Sequence, residues 1–287
     1  MGILIKGKPV ADAITEEVRK NASDLRQGGT IPKLKIVRVG DREDDLAYER
    51  SAVKRMAACN IDCEVLALPA DISQADFTEQ LKAVNNDDSV HGILLFRPLP
   101  KQLNENDLKY IISAEKDIDC FNPINVAKVF EGDETGFPPC TPSAAMEILK
   151  HYNVELKGRE AAVVGRSMVV GKPAAMLLTK ENATVTICHS RTQNLQEVTK
   201  RADILIAAIG KPNMITAEYV KEGATVIDVG INVDEEGNLT GDVNTSDCVE
   251  KAAMITPVPA GVGSVTTAVL AKHVVKACKI INNRGVE

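Results

Sequence analysis

Residues 160 to 173, Glu-Ala-Ala-Val-Val-Gly-Arg-Ser-Met-Val-Val-Gly-Lys-Pro, constrain this chain more than any other stretch, because they read as a buried strand turning sharply into a helix. Ala161 to Val164 form a short apolar run and Gly165 permits the turn. Gly171 permits close approach of helix to strand, and Pro173 suits a helix's first turn. The free backbone N–H groups of such a helix start favour an anion, above all the pyrophosphate of a nucleotide. The Gly-x5-Gly spacing departs from the G-x-G-x-x-G of dinucleotide loops, so the string alone fits a bare strand-to-helix turn equally well.

Downstream, Ala183 to Cys188, Ala202 to Gly210 and Gly223 to Ile231 read as further strands with helix-like segments between them, the beat of a parallel, doubly wound sheet. In such a sheet the residue closing the second strand meets the adenosine ribose, where an Asp or Glu would bond the 2′-hydroxyl of NAD. Here the chain reads His189-Ser190-Arg191-Thr192. Arg191, with Arg166 from the first loop and the Ser190 hydroxyl, makes a cationic, donor-rich pocket suited to a phosphate dianion, so NADP is expected over NAD. The plainer reading of Arg191 is a solvated loop arginine. His189 is read as structural.

At 287 residues the chain is long enough for two domains. Lys plus Arg number 34 against 40 Asp plus Glu, a net charge of −6, with no Trp and no basic run, which excludes polyanion grooves and base-stacking platforms. No apolar stretch approaches the ~20 residues that span a bilayer, and Met1 to Arg19 has no apolar leader core, so a soluble, cytoplasmic protein is expected. The seven cysteines show no C-x-x-C pair and no His at zinc spacing; they read as reduced, packed thiols, and no metal is expected.

The first half keeps the same rhythm. Ala11 to Leu25 is helix-like, Leu34 to Val39 a strand, Leu46 to Asn60 a helix, Glu64 to Leu68 a strand, Gln74 to Val84 a helix and Gly92 to Phe96 a strand. Two alternating halves joined by the Pro- and Gly-rich stretch 136–142 predict two α/β domains with a cleft between them, the second a Rossmann-like doubly wound parallel sheet. The boundaries expected are 1–140 and 141–266, with a last helix within 267–287 returning to the first domain.

Three further motifs, Gly-Ile-Leu-Leu-Phe-Arg-Pro-Leu-Pro at 92–100, Lys116-Asp117-Ile118-Asp119 before Asn122-Pro-Ile-Asn125, and Thr256-Pro-Val-Pro-Ala-Gly-Val-Gly263, join Gly165-Arg166-Ser167 and Gly210-Lys-Pro212 in a fixed order. Together they resemble the methylenetetrahydrofolate dehydrogenase/methenyltetrahydrofolate cyclohydrolase family, bifunctional one-carbon enzymes, over nearly the whole chain. The resemblance implies a homodimer, an N-terminal folate domain and an NADP domain, with the nicotinamide facing the pterin. It further implies that Gly165, Arg166, Ser167, Ser190 and Ile231 line the dinucleotide, that Tyr48 stacks on or hydrogen-bonds the pterin, and that Asp119 accepts hydrogen bonds from the aminopyrimidine edge.

In 5,10-methylenetetrahydrofolate the two flanking nitrogens push a hydride off the bridging carbon, so oxidation needs alignment rather than a protein base. Hydrolysing the resulting methenyl cation needs a tuned proton carrier, worth roughly 10²–10⁴-fold. The family places a lysine four residues after the tyrosine; here that position is Ala52. Lys54, at i+6, lies about 240° around the helix from Tyr48, and Arg55, at i+7, returns to the Tyr48 face but cannot act as a base. Phe96 replaces a family glutamine, Asp45 a serine, Cys120 and Ala260 glycines, and Ser264 a proline.

The dehydrogenase is therefore the expected activity. The cyclohydrolase stays open, since a local helix irregularity or recruitment of Asp45, Lys54 or Arg97 would restore a carrier. Two alternatives are a catalytically silent dinucleotide-binding regulator and a Rossmann dehydrogenase of another small acid.

Overall fold

The computed structural model describes residues 2–233 and 236–284. In chain order the elements are β1 (Ile3–Leu4), α1 (Gly7–Gln27), β2 (Lys33–Val39), α2 (Glu43–Ala58), β3 (Asp62–Leu68), α3 (Gln74–Asn85), β4 (Gly92–Leu95), α4 (Glu105–Leu108), α5 (Pro123–Glu131) and α6 (Cys140–His151). There follow β5 (Glu160–Val164), α7 (Gly171–Lys180), β6 (Thr184–Cys188), α8 (Leu195–Thr199), β7 (Ile204–Ala207), β8 (Thr225–Asp228), β9 (Asn232–Val233), β10 (Leu239–Thr240), α9 (Thr245–Cys248), β11 (Met254–Ile255) and α10 (Thr266–Arg284). The chain divides into two compact units, Met1–Ala11 with Pro139–Thr266, and Asp12–Pro138 with Thr267–Glu287.

The second of these carries a three-stranded parallel sheet in the order β3-β2-β4. Strand β4 is buried throughout and reads as a continuous apolar run, while β2, buried over its last four residues, carries Lys33, Lys35 and Arg38 among its apolar positions. Helix α3 closes one face because Phe77, Leu81 and Val84 recur at helical spacing and pack with Val37 and Leu95. Its start is fixed by Ser73, whose hydroxyl accepts from Asp76 N at 3.1 Å. The segment around Asp117 runs parallel beside β4 through a bridge to Ile93, so it ends at the same edge as the strands.

The other unit holds a six-stranded sheet, β1-β11-β8-β7-β5-β6, parallel throughout. Reading from β6, its first five strands have the doubly wound order 2-1-3-4-5, whose direction reverses between β5 and β7. Strand β1 lies outermost, paired with β11, so the first residues of the chain belong with this sheet and not with the residues from Asp12 to Pro138. Two residues carry too little alternation to announce a strand; their partners Met254 and Ile255, far along the chain, supply the bonds.

All seven cysteines are free, and six are buried. Among the described residues no helix is long and apolar enough to cross a membrane, and no group of three or more His, Cys, Asp or Glu is placed to hold a metal ion.

Candidate functional site

In the six-stranded unit Val164, Cys188, Ala207 and Asp228 end neighbouring strands in register, so the four loops that follow leave one edge at one level. Gly165 has φ +145°, and a Cβ there would lie 2.2 Å from the Ala208 carbonyl oxygen. A Cβ at Gly171 would meet the Gly165 oxygen at the same separation. Both glycines are therefore required by close backbone approach. Ser167 Oγ accepts from Val170 N at 3.1 Å and Gly171 N at 3.4 Å, which ties the loop to the first residue of α7.

Arg166 lies two residues past the end of β5, and Ser190 and Arg191 two and three past the end of β6; all three, with Ser167, are exposed at this edge. Their loop is shaped by its own turn. His189 N donates to Thr192 Oγ1 at 2.8 Å, and the His189 ring Nδ1 accepts from Arg191 N at 3.1 Å. His189 is thus structural in a specific sense: it holds the backbone that carries Arg191. Ile231, 66% exposed, follows β8, and its Cδ1 lies 3.6 Å from where a Cβ on Gly263 would stand.

Two carboxylates that carry no motif in the sequence organise this edge. Asp228 and Asp242 are both buried, and between them they accept from the backbone of both the post-β7 and post-β8 loops. Burial pushes the Asp228 carboxyl up to about 6, against the pull of three backbone N–H donors.

In the three-stranded unit the predicted substrate residues gather at the C-terminal edge of the sheet. Tyr48 is half-buried on α2, the helix that follows β2, and its ring meets that of Phe96, which follows β4. Asp119, partly exposed, follows the segment bridged to β4; the next residue, Cys120, is buried at φ +61°. The turn beyond is held by Asp117, which accepts from Phe121 N, Asn122 N and Asn125 Nδ2 at 2.8–2.9 Å. Burial pushes the Asp117 carboxyl up, and these bonds oppose it. His273 of α10 donates from Nδ1 to the Ile118 carbonyl at 2.9 Å, fixing the residue before Asp119.

The groups considered as a substitute proton carrier make contacts of their own or face solvent. Asp45 makes a two-pronged ion pair with Arg42 at 2.8 Å, Lys54 is exposed, and Arg97 stacks over the Phe121 ring at 4.9 Å. Arg55 reaches towards other helices, donating to Thr15 Oγ1 at 2.6 Å and Thr267 Oγ1 at 3.4 Å. Ala52 is fully buried. Helix α2 is regular from Glu43 to Ala58, so no local irregularity brings Lys54 to the Tyr48 face.

A doubly wound parallel sheet with arginines in the loops after β5 and β6, on a chain whose second α/β unit gathers an aromatic pair and a carboxylate at its own strand ends, defines a Rossmann-class dinucleotide enzyme. Residues 139–282 match the NAD(P)-binding domain, and residues 5–119 the catalytic domain, of the tetrahydrofolate dehydrogenase/cyclohydrolase family. The chain belongs to that family. It is 64% identical to "Bifunctional protein FolD" of Clostridioides difficile over 99% of both chains. Among solved structures it resembles the bifunctional FolD enzyme of Campylobacter jejuni (TM-score 0.95, 39% identity, covering 99% of this chain and 100% of that one). It likewise resembles the Trypanosoma brucei dehydrogenase-cyclohydrolase complexed with NADP and an inhibitor (TM-score 0.92, 35% identity, 100% and 99% covered).

Proposed function

We propose that this chain is an NADP-dependent methylenetetrahydrofolate dehydrogenase in which the cyclohydrolase step of the family is lost. The observation that carries this reading is a contrast: Arg166, Ser167, Ser190 and Arg191 stand exposed at one sheet edge, while position 52 is a buried methyl group and the ring of Phe96 meets that of Tyr48.

On the dinucleotide side Gly165 and Gly171 set the tight turn from β5 into α7, and Arg166, Ser190 and Arg191 offer cationic and hydroxyl donors to a 2′-phosphate. The dinucleotide supplies a hydride acceptor. Ile231 offers it an apolar contact. On the folate side Tyr48 packs on or hydrogen-bonds the pterin, and Asp119 accepts from its aminopyrimidine N–H groups. The substrate's own nitrogens expel the hydride, so these residues orient and no side chain takes up a proton.

Hydrolysis of the methenyl product requires a water to be deprotonated and a ring nitrogen to be protonated. Asp45 paired with Arg42, Arg55 bonded to Thr15 and Thr267, Arg97 stacked on Phe121 and Lys54 exposed support the reading that none of them replaces the lysine as carrier. A homodimer belongs to the same reading, supported by the exposed cross-strand pair Val233 and Leu239. So does a cytoplasmic, reducing setting, supported by seven free thiols.

The test is to supply methylenetetrahydrofolate with NADP or NAD and to follow reduced dinucleotide and methenyltetrahydrofolate absorbance together. NADPH formation, a lower KM for NADP than for NAD, and methenyl product decaying only at its spontaneous rate are expected. Rapid enzymatic decay would refute the loss of hydrolysis. No reduction of either dinucleotide would favour a silent binding protein.

A further inference from the structure

Strands β7 and β8 are neighbours, with Ala207 opposite Asp228, and each releases a loop at the edge where the dinucleotide is placed above. Because Arg191 follows β6 and Gly165 follows β5, the loops after β7 and β8 flank the half of the dinucleotide away from the adenosine ribose, the half that carries the nicotinamide. The first of them also abuts the pyrophosphate turn directly, as the close approach of Gly165 to the Ala208 carbonyl shows.

Both loops converge on one side chain. Asp242, 0% exposed, accepts through Oδ2 from Ile209 N at 2.5 Å and Gly210 N at 3.0 Å. Through Oδ1 it accepts from Lys211 N at 2.9 Å and from Asn232 Nδ2 at 3.0 Å, next to Ile231. Four donors fill the capacity of a carboxylate. The backbone of Asp242 is in turn held by Asp228, which accepts from Asp242 N at 3.0 Å, Gly230 N at 2.9 Å and Val243 N at 2.9 Å. The packing leaves no slack: a Cβ on Gly230 would stand 2.4 Å from the Asp242 carboxyl carbon, and one on Gly241 would overlap Asp228 Oδ2.

We propose that Asp242 is a positioning residue for hydride transfer, its carboxylate tying the 209–211 loop to Asn232 so that the walls of the nicotinamide half keep one geometry. This rests on the assignment of the dinucleotide to this edge. A carboxylate is required because an amide offers only one acceptor oxygen. In an asparagine the NH2 group would face backbone N–H donors, leaving at least one of them buried and unpaired.

Two variants test it, Asp242→Asn and the milder Asn232→Ala, which removes one of the four donors and leaves the backbone bonds in place. Steady-state kinetics with NADP and with substrate deuterated at the bridging carbon are expected to show for Asp242→Asn a KM for NADP raised roughly tenfold and a kcat lowered roughly tenfold. The isotope effect on kcat should also rise, because misalignment slows the hydride step itself. Asn232→Ala should move all three in the same direction by a few-fold. A purely structural role would reduce the amount of active enzyme without changing the KM for NADP or the isotope effect. If Asp242→Asn does not fold, Asn232→Ala decides. Wild-type KM and isotope effect in the folded variants overturn the proposal while leaving NADP use intact, whereas a wild-type chain that binds no NADP, measured by titration calorimetry, overturns the dinucleotide assignment and this inference with it.

Discussion

The ring of Phe96 meets that of Tyr48 edge-on, with centroids 5.8 Å apart and planes inclined at 70°. A hydrocarbon edge therefore occupies the place where the family resemblance puts an amide, and Ala52, one turn along α2 from Tyr48, is enclosed. Restoring a lysine at 52 alone places an ammonium at a fully buried position, and desolvation works against its charged form. The double variant Ala52→Lys/Phe96→Gln supplies both the amine and a polar partner. It is expected to accelerate hydrolysis of methenyltetrahydrofolate by roughly 10²-fold over wild type, and Ala52→Lys alone by less than tenfold. Decay of methenyl absorbance above the spontaneous rate is the measurement. A double variant no faster than wild type would mean that position 52 is not where the carrier was lost.

Arg191 stands exposed three residues past the end of β6, its backbone N–H held by His189. If its guanidinium pairs with a 2′-phosphate, removing it takes away a charge-assisted hydrogen bond worth about 1.5–3 kcal/mol, equivalent to roughly 10- to 100-fold in affinity. Arg191→Ala should accordingly raise the KM for NADP by that factor, leave kcat within about twofold, and leave the KM for NAD unchanged. Equal effects on both dinucleotides would show that Arg191 does not read the phosphate.

Most of the sheet framework is legible in the sequence because its strands are short runs rich in apolar residues: Leu34 to Val39, Glu64 to Leu68 and Ala161 to Val164 lie within two residues of the observed strands. What stays hidden depends on partners far along the chain. Strand β1 has two residues and exists only through β11. Asp242 reads as an ordinary turn aspartate, yet three of its donors lie more than 30 positions away. The glycines are the one sign in the sequence, since the Asp242 carboxylate packs against Gly230 and that of Asp228 against Gly241, leaving no space for a Cβ at either. The contact between Tyr48 and Phe96 joins two helix-and-strand units that composition and periodicity treat separately.

Ala260 has φ +78° and Cys120 φ +61°, both left-handed, at two positions where the family resemblance places glycine. That conformation disfavours an L residue by roughly 1–2 kcal/mol, while glycine gives back about 0.4–1 kcal/mol through the greater freedom of the unfolded chain. Ala260 is exposed, so little packing is lost with its methyl group. Ala260→Gly is expected to stabilise the protein by about 0.5–1 kcal/mol, and Ala260→Val to destabilise it by more than that. Buried Cys120 loses packing as well as strain, so Cys120→Gly should be nearly neutral. Urea unfolding midpoints decide the matter, and a destabilised Ala260→Gly would show that the strain is relieved elsewhere.

His273 packs its ring against Phe137 at 5.7 Å and donates to the Ile118 carbonyl, with the Lys276 ammonium held close by through the Glu134 and Gly136 carbonyls. Burial holds its imidazole down at about 4, against an ordinary value of 6.5. The folded-state value is depressed, so the unfolded chain binds a proton between those two pH values that the folded chain refuses. The contribution is fully present above about pH 6.5 and is lost as the pH falls towards about 4, at a limiting slope of about 1.4 kcal/mol per unit. His273→Gln keeps a donor for Ile118 and removes the titration. Wild type should therefore lose stability more steeply than His273→Gln between pH 6.5 and 4, the carboxylates contributing alike to both, as followed by urea unfolding at each pH. Parallel curves for the two proteins would mean that His273 takes up its proton without unfolding the helix that holds Ile118.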